Sequence, residues 1–73
     1  MTDVEKEIIV ALANNGMKIG RVGRVLYMSY NNIVYHIKKI KKSTGLDPRD
    51  FHDLCELFEM VCEESGRKER ENP

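Results

Sequence analysis

At 73 residues the chain has room for one small domain, against the usual ~100–200 residues per domain, and a core of that size supplies only roughly 3–5 kcal/mol of net stability. Its make-up, 41% hydrophobic and 33% charged with a formal net charge of zero, is that of a folded chain in water and excludes a disordered one. No apolar run approaches the ~20 residues of a membrane span, and the acidic start Met1–Glu7 does not read as a signal peptide, so the expected address is cytoplasmic.

The neutral total conceals a separation of charge. Residues 1–17 carry net −2, with Lys6 against Asp3, Glu5 and Glu7. Residues 18–49 carry eight Lys and Arg against Asp47 alone, net +7. Residues 50–73 carry net −5. A basic middle between acidic ends is a local footprint for a polyanion.

The apolar spacing predicts an all-α chain, a bundle of about four helices, folded as one domain over residues 1–64. The first helix spans about 3–14. Thr2 or Asp3 caps it, Val4, Ile8, Ala11 and Leu12 form its inner stripe, and Gly16 terminates it. The second spans about 18–26, with Ile19, Val22, Leu26 and optionally Val25 inward. Gly20 and Gly23 each cost roughly 1 kcal/mol against Ala in a helix, which close packing on that face would justify. Tyr27 is expected in the core at the turn, and Met17, Met28 and Met60 as packing.

Ser29 is the expected cap of a third helix, about 30–43, ended by Thr44-Gly45. After the turn 46–50, with Asp50 and Asp53 in a capping arrangement, a fourth helix spans about 51–64. Its wide apolar face holds Phe51, Leu54, Cys55, Leu57, Phe58, Val61 and Cys62. The tail 65–73 has no apolar residue and is expected to fray. Cys55 and Cys62 would lie ~10 Å apart on one helix. A disulfide needs Cα atoms within ~7 Å, so both are expected as buried thiols.

The third helix carries the functional argument. At ~100° per residue, Ile33, Ile37 and Ile40 share a narrow inner arc, while Asn31, Tyr35, Lys38 and Lys42 fall opposite. Tyr30, Asn32 and His36 lie nearer the sides. This outer face begins with amides and a tyrosine and ends with lysines. An asparagine can hydrogen-bond adenine twice in the major groove, and later lysines can follow the phosphates. Two helices joined by three residues, the second bearing the polar face, form a helix-turn-helix. The expected base contacts are Tyr30, Asn31, Asn32 and Tyr35; the expected phosphate contacts are Arg21, Ser29, Lys38, Lys39 and Lys42.

The run Leu26-Tyr27-Met28-Ser29-Tyr30-Asn31-Asn32-Ile33-Val34-Tyr35-His36-Ile37-Lys38-Lys39-Ile40, followed by Thr44-Gly45-Leu46-Asp47, resembles the C-terminal helix-turn-helix domain of PucR-type and sugar-diacid transcriptional regulators. More distantly it is similar to the DNA-binding half of Fis. The resemblance extends from Ile19 to Val61 and implies the fold and operator-DNA binding. The family commonly has Arg where this chain has Tyr30, Val34 and His36, whereas Asn31, Tyr35 and the Lys38-Lys39 pair match it.

Enzyme chemistry is not expected: no Gly-rich loop follows a strand, and neither His36 nor His52 sits in a catalytic or metal-ligand pattern. No cofactor, metal, membrane or small-molecule partner is implied. The expectation is a double-stranded-DNA-binding transcriptional regulator, acting as a homodimer through the first or fourth helix. The alternative is a protein-interaction module that kept the fold and lost DNA. It would use Phe51, Leu54, Phe58 and Val61 as an exposed edge and Glu56, Glu59, Glu63 and Glu64 as an acidic dock.

Overall fold

A computed structural model describes residues 1–64; the expected frayed tail 65–73 lies outside the described residues. Four helices follow one another, α1 (Asp3–Asn14), α2 (Ile19–Leu26), α3 (Tyr30–Thr44) and α4 (Phe51–Glu64), and the described residues contain no strand. None of these helices is long and apolar enough to cross a membrane.

Three of the four helices start on a side-chain cap, and α2 starts at Lys18 without one. Thr2 opens α1 with a reciprocal capping box: its hydroxyl accepts from the Glu5 N–H at 3.2 Å, and the Glu5 carboxylate accepts from the Thr2 N–H at 3.0 Å. That exchange explains why Glu5 is buried on an otherwise apolar face. Ser29 caps α3, its Oγ accepting from the Asn32 N–H at 3.1 Å. Asp50 Oδ2 accepts from the Asp53 N–H at 3.0 Å. The Asp53 carboxylate reaches back past Asp50 to the Asp47 N–H at 2.9 Å, so the pair clamps the whole turn rather than closing a box. Asp47 also accepts from the Arg49 N–H. That bond first, and the charges of Arg49 and Lys41 with it, hold the Asp47 carboxyl below its ordinary value against the opposing effect of desolvation.

The core is aliphatic: Ile8, Ile9, Ala11 and Leu12 from α1, Val22 from α2, Ile33, Ile37 and Ile40 from α3, and Leu54, Leu57 and Val61 from α4. Helix α1 is the common partner, packing against each of the other three. Because neighbours surround it, it buries a broad arc that includes Ile9, while Val4 in its first turn, expected on the inner stripe, is exposed. Helices α2 and α3 pack together, and α4 docks on α1 without a close backbone approach to either of them.

With one neighbour, α4 buries only a narrow stripe. This corrects three expectations: Leu54 and Val61 are core rather than exposed edge, and Cys55 is exposed rather than buried; Phe51 is exposed, as the edge reading had it. Cys62 and Phe58 are half-buried.

A further correction concerns the turn before α3. Tyr27 is 96% exposed, not part of the core. It takes a left-handed conformation, φ 58, as the residue that ends α2. The N–H of Tyr27 points to the Arg24 carbonyl, and the Met28 N–H donates to the Gly23 carbonyl at 2.8 Å, the double closure of a Schellman turn. In that geometry the ring projects into solvent. A left-handed conformation costs a side-chain-bearing residue roughly 1–2 kcal/mol, and glycine escapes it.

Candidate nucleic-acid interface

The turn is tight because of Gly23. A Cβ there would lie 2.6 Å from the Met28 carbonyl oxygen, inside any tolerable contact with backbone. Only a residue without a side chain lets the chain reverse so soon and bring α3 against α2. Gly20 has no such role, since a Cβ there would meet nothing within 4 Å.

The inner arc of α3 is fully sequestered, Ile33, Ile37 and Ile40 all buried. That burial fixes the rotation of the helix and therefore which residues face outward. Asn31, Asn32, Tyr35, Lys38, Lys39 and Lys42 are all exposed. Tyr30 at the side of the first turn is 58% exposed and Tyr35 is 56% exposed. The structure thus brings eight of the nine expected site residues onto one helix and its cap, Tyr30, Asn31, Asn32, Tyr35, Lys38, Lys39 and Lys42 with Ser29. The ninth, Arg21, is exposed on the neighbouring α2.

Local contacts organise this face. The Lys39 ammonium stands 5.6 Å from the centre of the Tyr35 ring. The Tyr35 ring in turn meets His36 edge-on, with centroids 5.3 Å apart. His36 is half-buried at the flank, and its Nδ1 is buried with no protein partner. Lys41 leans instead toward Asp47, at 3.9 Å, on the side of the helix that leads to α4. Among the described residues Arg21, Arg24, Lys38, Lys39 and Lys42 have no carboxylate partner, so their charge is uncompensated. Of the acidic side chains of α4, Glu64 pairs with Lys6 of α1 at 3.3 Å.

Two further residues belong to this surface and escaped the sequence reading. Arg24 and Tyr27 line a groove between α2 and the start of α3, with Gly20, Gly23, Met28 and Tyr30. The available signal was spacing: Gly20, Arg24 and Tyr27 recur at i, i+4 and i+7, one stripe of α2.

Two helices joined by a short glycine-dependent turn, the second with a basic outer face, form a helix-turn-helix. The family model for the PucR C-terminal helix-turn-helix domain matches residues 7–60, most of the chain. The chain belongs to this family. No curated protein and no solved structure gives a significant match. Within the PucR-type domain the match takes in all of α2 and α3, the helix-turn-helix pair, together with parts of α1 and α4. Membership identifies the class as that of DNA-binding regulators in general.

Proposed function

We propose that this PucR-type domain is a transcriptional regulator that lays α3 in the major groove of double-stranded DNA. Tyr30, Asn31, Asn32 and Tyr35, on the first part of the helix, meet the base edges. Arg21, Ser29, Lys38, Lys39 and Lys42 meet the phosphates on either side. The observation that carries this reading is the outer face of α3, where amides and tyrosines lead and unpaired lysines follow, with no acidic residue on α2 or α3. Ser29 keeps its capping bond and still has its hydroxyl proton to donate. Asn31 would supply sequence selectivity worth about 1–3 kcal/mol through a bidentate pair with adenine. The residues 1–64 act as one cytoplasmic DNA-binding unit without enzymatic activity, and two copies read two half-sites.

Fluorescence anisotropy with a random-sequence duplex over a salt series tests it. Four cations on phosphates predict a slope of log affinity against log salt of roughly −4. A chain that fails to bind even at low salt overturns the DNA reading. One observation then favours a protein-interaction module: Phe51, 62% exposed, flanks a mostly apolar groove with Phe58, Met17 and Ala13.

A further inference from the structure

Among the described residues, two other than glycine hold a left-handed backbone, Met17 (φ 61) and Tyr27 (φ 58). Met17 has a structural reason to be there, because its side chain packs against the core. Tyr27 has none. Its ring is 96% exposed, and it makes no side-chain hydrogen bond or aromatic pair with a described residue. The backbone at this position favours glycine, and the tyrosine contributes nothing to packing in return. A side chain held against the local preference, with all its surface available, fits a binding role.

The surroundings define the ligand. Tyr27 lies two residues before the Ser29 cap and shares a groove with Tyr30, the first residue of α3. Its groove is lined by Arg24, the exposed Tyr30 and the bare backbone of Gly20, and by no acidic residue. A cation and two phenolic donors with no anion match a phosphodiester strand. Tyrosine and arginine are both regular donors to DNA phosphates.

We propose that Tyr27 is a DNA-positioning residue, its hydroxyl donating to a backbone phosphate at the edge of the groove that α3 occupies, beside the charge of Arg24. This rests on the DNA-binding reading above. The contact carries no base information, so it strengthens binding to every sequence alike.

The test compares the wild-type chain with Tyr27→Phe, Tyr27→Gly and Arg24→Ala, by thermal melting and by anisotropy with a random duplex across salt. Tyr27→Gly should melt higher, by roughly 4 °C, because the strained backbone relaxes. It should nevertheless bind DNA about tenfold more weakly, the loss of one hydrogen bond to a charged group. Tyr27→Phe should melt like the wild type and bind as weakly as Tyr27→Gly. Both should keep the wild-type salt slope, since a neutral hydroxyl releases no counterion, whereas Arg24→Ala should flatten it by about 1, because Arg24 adds a fifth cation to the four counted above. Wild-type affinity in both tyrosine variants would overturn the proposal and leave the DNA reading standing. Weak binding by Tyr27→Gly with full binding by Tyr27→Phe would overturn the hydroxyl contact. No binding by the wild type at low salt would remove both readings together.

Discussion

Helices α3 and α4 are nearly the same length and do the same work on their inner sides. Each buries three aliphatic side chains, Ile33, Ile37 and Ile40 in one and Leu54, Leu57 and Val61 in the other. Their outer sides are opposite. Helix α3 carries Lys38, Lys39, Lys41 and Lys42 and no acid, and α4 carries Asp53, Glu56, Glu59, Glu63 and Glu64 and no lysine or arginine. Burial of apolar area is indifferent to the sign of the charge on the far side of a helix. The fold therefore leaves the outer faces free to specialise. The backbone of α4 approaches α1 and not α2 or α3, and among the described residues no carboxylate of α4 pairs with a lysine of α3.

The largest effects should come from the inner faces and should erase the difference between the helices. Ile37→Ala and Leu57→Ala should each cost about 2–5 kcal/mol, comparable with the whole stability of so small a chain. Circular dichroism in a urea titration should show both variants largely unfolded without denaturant. A tolerated Leu57→Ala would mean that α4 is an accessory to a three-helix core.

The outer faces should restore the difference. Lys38→Glu with Lys42→Glu should weaken duplex binding by roughly 100-fold and flatten the salt slope by about 2. Glu56→Lys with Glu59→Lys on α4 should leave affinity unchanged or slightly higher, and both double variants should melt near the wild type. Equal losses from the two helices would break the assignment of the DNA face to α3.

Smaller effects test the joint that presents that face. Gly23→Ala forces a methyl group against the Met28 carbonyl and should cost about 1–3 kcal/mol. Gly20→Ala meets nothing and should stabilise by about 0.5–1 kcal/mol. Thermal melts of the two variants should therefore shift in opposite directions. Ser29→Ala, which removes the cap of α3, should lower stability by about 1 kcal/mol in the same assay.

The smallest effect concerns the turn that links the two helices. The folded state holds the Asp47 carboxyl below its ordinary value of 3.8, so its stabilisation is present above that value. It is lost as pH falls through the lowered folded value. Melting curves from roughly pH 2 to pH 6 should show Asp47→Asn below the wild type at the upper end and converging with it at the acid end. A gap that persists in acid would mean that Asp47 acts through its backbone turn alone.

What was readable from the chain alone follows a physical pattern. Helix existence, the Ser29 and Thr2 caps and the amide-to-lysine order along α3 depend on residues within a turn or two of each other, and local sequence contains those. The inward arc of Ile33, Ile37 and Ile40 was readable because α3 has one strongly apolar side and no competing stripe. Close packing was expected of Gly20 and Gly23 alike, and the chain alone gave no way to see that only Gly23 meets a neighbour while Gly20 faces open space.

The rest needed neighbours. Periodicity presents Phe51, Leu54, Cys55, Leu57 and Phe58 as one apolar face, but α4 has a single partner, so Leu54 and Leu57 are covered while Phe51 and Cys55 remain in water. The same limit applies to Glu5, which reads as a surface carboxylate and is buried by its bond to the Thr2 N–H. Tyr27 is the clearest case, because an aromatic residue between two amphipathic helices reads as core. Its outward direction comes from a left-handed turn that forms only when Gly23 admits the Met28 carbonyl. By itself the sequence determined which segments coil and where the positive charge lies, since both follow from local periodicity and composition. Only the tertiary structure decided which apolar side chains stay uncovered and which tyrosine meets the solvent, because burial depends on the direction from which another helix approaches.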